Sequence, residues 1–324
     1  MADAGEGDDV IDRVLRRRFA VASLITLWCA LLAAMLGRYA WPLDLFANFR
    51  VQYTLLFLIV AILLFALRSP LLGVLAIAGA VLSAIPIVSY MGVQTARAAT
   101  GSAKFRVVAF NTWFRNHDYA AMGRFLEQTQ ADVIVLEERD RDDGAQRIGA
   151  YLHSYPYSFN ELRKHGAVVF ARWPILSAES LALTDGPGVL AARVTLDWQG
   201  TPVTVLGAHL HWPLGPRNSR MRNAELAGIA SFAAAHQQPL IVAGDFNIAP
   251  WSAHFRTALE RSGLSDCAAG HGLAPSWPAQ FPPLGIRIDH CWASHHWRSV
   301  DVRLGPSHGS DHLPLITDLV WAAP

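Results

Sequence analysis

The chain has 324 residues, of which 52% are hydrophobic and only 16% charged, with a net charge of +1. That length accommodates one large domain or two ordinary ones, and the composition excludes a wholly water-soluble protein. The apolar excess lies before residue 94, in three runs without Asp, Glu, Lys or Arg: 19–36, 51–67 and 71–93. A helix needs ~17–25 such residues to cross the hydrocarbon core, so each run reads as a span. Arg16, Arg17 and Arg18 precede the first run as they would in a signal peptide. The run is longer than an h-region of ~7–15 residues, however, and two more follow it.

Basic residues near span ends set orientation, and acidic ones carry little weight. Arg13 and Arg16 to Arg18 therefore put the N-terminus in the cytoplasm. Three crossings then place the rest outside, at the periplasmic or outer face of a bacterial-type inner membrane. Residues 94–103 (QTARAATGSA) are small and polar and read as a linker between the membrane region, 1–93, and a domain at 104–324.

Within that domain, residues 105–111, 133–137, 167–171, 189–196, 203–209, 240–246, 287–293 and 313–319 are short β-branched or alternating runs and read as strands. Residues 119–129, 217–235 and 252–261 carry apolar residues at helical spacing. The expected fold is α/β: three transmembrane helices followed by a sandwich of two mixed sheets with helices outside. Cys267 and Cys291 could form a disulfide outside the cytoplasm, although buried free thiols are the preferred reading.

Asn111, Glu137, His209, Asp245, Asn247, Asp289, Asp311 and His312 each fall at or just past the end of an apolar strand, and a sheet gathers such ends along one edge. A carboxylate stranded there is costly without a cation or hydrogen-bond partner, so the pattern implies a metal site or a dense polar network. Glu137, Asp245 and Asp311 with two amides form a hard oxygen set suited to Mg²⁺ or Mn²⁺. Zinc is the alternative raised by His308 and His312, four residues apart, but Gly309 between them marks a loop.

The segments FRVVAFNTW, ADVIVLEE, VTVLGAHLHWP, PLIVAGDFN, RIDHCWAS and GSDHLPL resemble, in order, the signatures of the endonuclease/exonuclease/phosphatase superfamily. The layout is similar to small membrane-bound members associated with resistance to teicoplanin-type glycopeptides. The resemblance implies that Glu137 holds the metal, with Asn111 beside it and Asp311 supporting it from the last loop. It implies that His312 acts at the scissile phosphate with its tautomer fixed by Asp289, and that Asp245 aligns or deprotonates water. Asn247 and His209 would donate to the phosphoryl oxygens.

Asn111, His211, Arg217 and Arg222 are the candidate substrate contacts, with a rim histidine packed on Trp212 the other reading of His211. Glu138 is expected on the opposite strand face from Glu137, and His290 is expected to be structural. His165 stands near where the family often carries an asparagine. The nearest acid after Asn111 is Asp118, which leaves the number of metals open.

From Gly101 onward there are 19 Lys and Arg against 20 Asp and Glu, a net of −1. A nuclease that grips duplex backbone presents a basic face, so nucleic acid is not the favoured partner. Trp113, Trp212, Trp251, Trp277 and Trp292 suit apolar or interfacial contact instead. The expected activity is Mg²⁺-dependent hydrolysis of a lipid-linked or phospholipid phosphate. A surface nuclease and a non-catalytic binder of phosphorylated ligands are the alternatives.

Overall fold

The computed structural model describes residues 4–92, 103–138, 143–160, 166–186 and 188–322. It divides into two units, Met1–Val88 with Trp251–Ala253, and Ser89–Pro250 with His254–Pro324. Of the expected linker, only Ala103 lies within the described residues.

The N-terminal helices are α1 (Ala4–Met35), α2 (Trp41–Ala47), α3 (Arg50–Ala66) and α4 (Pro70–Met91). Among the described residues two stretches, Asp12–Met35 and Pro70–Met91, are long and apolar enough to cross a membrane. The middle run forms α3, of the expected 17 residues, which meets α2 at a bend of 65°, and it makes a third candidate span only if this pair counts as one. Leu24 and Leu31 of α1, Phe57 and Leu64 of α3, and Ala76 and Ala80 of α4 form one buried cluster.

The second part of the chain runs β1 (Lys104–Asn111), α5 (Tyr119–Thr129), β2 (Val133–Glu137), α6 (Gly144–Gly149), β3 (Tyr157–Asn160), β4 (Val168–Ala171), β5 (Ile175–Ala182), β6 (Leu190–Trp198), β7 (Thr201–Gly207), α7 (Pro216–Ala235), β8 (Leu240–Asp245), α8 (Ala253–Ser262), β9 (Ser265–Asp266), β10 (Asp289–Ala293), β11 (Trp297–Leu304) and β12 (Leu315–Trp321). The strands form two six-stranded sheets, ordered β11-β12-β1-β2-β4-β3 and β5-β6-β7-β8-β10-β9.

Period-2 alternation builds the sandwich, because successive side chains of a strand point to opposite faces. Val107 and Ala109 of β1 and Val133 and Val135 of β2 turn inward, against Val194, Val203, Val205, Ile241 and Ala243 of the other sheet. Their neighbours Val108, Phe110, Ile134 and Leu136 turn outward onto Met122 and Leu126 of α5 and Ile148 of α6. Leu206, Leu240 and Val242 pack outward against Leu226, Ile229 and Phe255 of α7 and α8. Each expected strand forms, as does each expected helix of the domain; β3, β5, β9, β11 and α6 are additional.

Cys267 and Cys291 are buried free thiols, and the hydrogen bond between them, then burial, pushes the Cys267 thiol up. Of the tryptophans expected in apolar or interfacial contact, Trp292 packs in the core, Trp251 is buried and Trp212 is exposed.

Candidate active site

Strand pairing brings the polar ends together. Parallel β1 and β2 finish on one rung, Asn111 opposite Glu137. In the other sheet β8 finishes where antiparallel β10 begins, Asp245 opposite Asp289. The two rungs meet across the sandwich, where Asn111 Nδ2 donates to Asp245 Oδ2 at 3.1 Å.

The last loop completes the edge. Ser310 Oγ donates to the Asn111 carbonyl at 2.7 Å and accepts from the His312 amide at 3.0 Å, fixing the loop to β1. His312 Nδ1 lies 2.8 Å from Asp289 Oδ2, and its Nε2 lies 3.7 Å from Asp245 Oδ2. A carboxylate at Nδ1 selects the tautomer protonated there. Burial works against the charge on His312, but Asp289, Asp245 and Asp311 outweigh it and push the imidazole up to about 10. Burial also holds the Asp245 carboxyl far above the carboxylate range, helped by Asp289 and opposed by His312.

Asp289 is itself held: its amide donates to buried Ser276 Oγ at 3.2 Å. Asp311 accepts from Trp277 Nε1 at 3.1 Å through Oδ2. Neither Ser276, Ser310 nor Trp277 stood out in the sequence as part of the site; Ser310 could have been found from its place beside Asp311 in GSDH.

His209 is buried, with Nε2 3.7 Å from Asp245 Oδ2 and 3.6 Å from Glu138 Oε1. The expectation that Glu138 faces away is therefore corrected. β2 ends at Glu137 and Glu138 takes a left-handed φ of 49°, so strand alternation no longer governs where it points. Asn247 also takes a positive φ, 52°, which asparagine tolerates. Its amide N–H donates to Asp245 Oδ1 at 2.8 Å, and its Nδ2 donates to the Leu210 carbonyl at 2.9 Å.

The candidate substrate contacts separate. Arg217 is exposed in the first turn of α7. Arg222 is 2% exposed, and its Nη1 donates to the Asn247 carbonyl at 3.0 Å. Its position makes it a brace for the Asn247 loop, correcting its reading as a substrate contact. His211 Nδ1 lies 2.6 Å from Oε1 of Glu225, a fully buried carboxylate on α7. Glu225 also accepts from the amides of His211, at 3.0 Å, and Val189, at 2.9 Å. The sequence reading missed Glu225. Its spacing from Arg222, Leu226 and Ile229 places it on the buried face of α7, which was the available signal.

Asp118 caps α5, accepting from the Ala121 amide at 3.0 Å, and is committed there rather than to a second metal. His290 is structural as expected: it is buried and its Nε2 lies 2.8 Å from the Ile248 carbonyl. His308 lies tilted against Phe125 with ring centroids 4.7 Å apart, and among the described residues His312 groups its ligand atoms with Asp245 and Asp289 rather than with His308. His165 lies outside the described residues.

The sequence profile of the Endonuclease/Exonuclease/phosphatase family matches residues 108–312, from β1 to His312. The chain belongs to this family. Family members are metal-dependent phosphoester hydrolases. "Protein angel homolog 2" of Danio rerio is 24% identical over 216 residues, covering 55% of this chain and 37% of that protein. The fold is shared with a family member from Bacteroides vulgatus (TM-score 0.57, 15% identity, 68% of this chain and 100% of that one). It is shared too with sphingomyelinase C from Streptomyces griseocarneus (TM-score 0.51, 18% identity, 67% and 99%).

The divalent cation that the family uses fits the residues present. Both Glu137 carboxylate oxygens and Asp311 Oδ1 are buried with no hydrogen-bond partner. Burial, then the charges of Asp289, Asp245 and Glu138, hold Glu137 well above the usual carboxylate range. Such an arrangement is unfavourable by itself and becomes favourable around a cation. Asp245, Asp289 and His312 also offer ligand atoms within 4.8 Å of one another. The short Asp289–His312 bond already engages two of those groups, so Glu137 and Asp311 are the better holders.

Proposed function

We propose that this family member is a membrane-anchored, extracytoplasmic Mg²⁺-dependent hydrolase acting on a lipid-linked or phospholipid phosphate, with Mn²⁺ as a substitute. The observation that carries the reading is one chain combining two membrane-length apolar helices with a cluster of unneutralised carboxylates beside an Asp289–His312 pair. The balanced charge after residue 101 weighs against a dedicated DNA enzyme. Arg13 and Arg16 to Arg18 favour a cytoplasmic N-terminus, and with the bent α2–α3 pair as the third crossing the catalytic domain lies outside.

Glu137, Asp311 and Asn111 would hold the cation, which supplies positive charge to a non-bridging phosphoryl oxygen. Asp245, made basic by burial, takes a proton from the water that attacks phosphorus as the bond to the leaving oxygen breaks. His312, kept protonated and in one orientation by Asp289, donates from Nε2 to a phosphoryl oxygen on which charge builds. Asn247 and His209 supply further N–H groups to the same end. Arg217 and His211 would contact the rest of the substrate.

The test is hydrolysis by the purified full-length protein in detergent, with Mg²⁺ or EDTA, followed as product formation from a panel of lipid phosphates and as strand cleavage of plasmid DNA, beside His312→Ala. Metal-dependent turnover of a lipid phosphate that the substitution abolishes is expected. Cleavage of DNA alone would replace the lipid reading with a nuclease. Binding of phosphorylated ligands without turnover would replace it with a non-catalytic binding protein.

A further inference from the structure

Single exposed apolar side chains are ordinary on a protein surface, but their distribution here is not random. Among the described residues from 104 to 322, seven large apolar side chains are exposed: Phe114, Tyr157, Leu176, Trp212, Leu214, Phe281 and Leu284. Tyr157 opens β3 and Leu176 lies at the start of β5, both at the sheet edge opposite the site. Tyr157 pairs with Ala171 and through it with Val133, the first residue of β2. Ile175, beside Leu176, pairs with Leu196 near the end of β6.

The other five, 48 to 59% exposed, belong to three loops fastened to site residues. Phe114 follows Asn111 by three positions, and its loop is tied to the last one where Asn116 Nδ2 donates to the His308 carbonyl at 2.9 Å. Trp212 and Leu214 follow His209 by three and five. Phe281 and Leu284 lie in a loop whose Ala279 amide donates to the Asp311 carbonyl at 2.8 Å. Three sides of the catalytic edge thus carry an apolar rim.

Charge distinguishes what the rim would meet. Residues 112–117, 210–217 and 276–287 contain no Asp or Glu. Exposed Arg115 and Arg217 stand among the apolar side chains, the Arg115 guanidinium 5.4 Å from the Phe114 ring. Aromatic and aliphatic tips interleaved with arginine suit the interface of an anionic bilayer, where the tips enter the acyl boundary and the guanidinium groups meet phosphate. Pro213, Pro216, Pro282 and Pro283 restrict these loops, so little order is lost on contact.

We propose that this rim is a lipid-docking surface: Phe114, Trp212, Leu214, Phe281 and Leu284 enter an anionic bilayer and bring the catalytic edge down onto headgroup phosphates. This rests on the lipid-phosphate reading for its purpose, but it is tested without turnover. Nitroxides would be placed at Leu214→Cys and Leu284→Cys, with Leu176→Cys as reference, in the full-length Cys29→Ala protein; Cys267 and Cys291 are buried. Each labelled protein would be matched to the parent in melting temperature. It would then be reconstituted into phosphatidylcholine vesicles with or without phosphatidylglycerol, and spin relaxation by oxygen compared with that by a water-soluble nickel chelate.

The expected result is an oxygen-to-nickel ratio several-fold higher at 214 and 284 than at 176, increasing with phosphatidylglycerol. Equal ratios at all three positions would overturn the proposal. Dipolar broadening between labels at 214 would also overturn it, by showing a second copy on the rim. Lipid exposure at 214 and 284 in a protein that hydrolyses no lipid phosphate would uphold the docking surface and defeat the substrate reading alone.

Discussion

A methyl group built on Gly244 would come within 2.6 Å of Glu137 Oε1. The glycine of the GDFN segment is thus where β8 of one sheet passes directly over the acid that ends β2 of the other. It also has a φ of 142°, and the same methyl would strike the Ala208 carbonyl. Gly244→Ala should therefore destabilise the protein by about 3 kcal/mol through backbone strain and overpacking together. Because the clash is aimed at Glu137, activity should be lost even at temperatures where the variant stays folded. Urea unfolding and turnover, measured side by side, check both.

Asp289 holds His312 by a single 2.8 Å bond inside the protein. Asp289→Asn keeps the shape but offers an amide where a carboxylate accepted a proton, so the imidazole loses both its charge partner and its tautomer. Turnover should fall by ~10²- to 10⁴-fold with little change in KM. A variant that retains more than a tenth of the wild-type rate would remove His312 from the chemistry.

Glu225 accepts two backbone amides and the His211 ring while fully buried. Glu225→Ala strands these donors, at a cost of about 1–3 kcal/mol for each unsatisfied group, and should lower the urea midpoint markedly. Glu225→Gln retains acceptor capacity in one oxygen and should recover part of that stability. It should still raise KM more than it lowers kcat, because the His211 ring is no longer fixed by a charge.

Arg106 on β1 grips Asp318 on β12 with two hydrogen bonds, of 2.6 and 2.8 Å. Burial alone would raise the Asp318 carboxyl, but the bond to Arg106, its charge, and Arg303 hold it below the usual range. A folded value below the unfolded one means that the pair's stabilisation is complete above the unfolded value of ~3.9 and is lost as pH falls through the depressed folded value. Asp318→Asn should cost on the order of 1 kcal/mol at neutral pH. It should cost nothing once both forms of the wild type are protonated. Unfolding midpoints measured from neutral pH into acid would show the two curves converging; parallel curves would contradict the assignment.

The parts of this molecule legible in its sequence are those where one physical pattern dominates. β1, β2, β7 and β8 are buried on both faces, so they read as continuous apolar runs, and the polar residue that ends each run marks the site. β5 has no buried residue and β11 is an edge strand with little burial, so neither carries the alternation by which strands are recognised. The burial of Glu225 and Arg222 is not marked among the charges of α7, because burial of a charged residue depends on partners brought by distant strands. Glu138 departs from strand alternation for a local reason: it is itself left-handed, at the end of β2, and there the period of 2 no longer holds. The middle apolar run is legible as a 17-residue helix, whereas the 65° bend between it and α2 carries no signal in composition.

The central claim is that Glu137 and its neighbours form a divalent-cation centre, and metal-dependent thermal unfolding of the full-length protein tests it most directly. In EDTA, Glu137→Gln should be more stable than wild type, since it removes a buried carboxylate that has no hydrogen-bond partner. Mg²⁺ at a hundredfold excess over Kd should raise the wild-type Tm by roughly 5 to 10 °C and leave Glu137→Gln almost unmoved. A wild type indifferent to Mg²⁺ and Mn²⁺, or a variant that responds as strongly as wild type, would contradict the account.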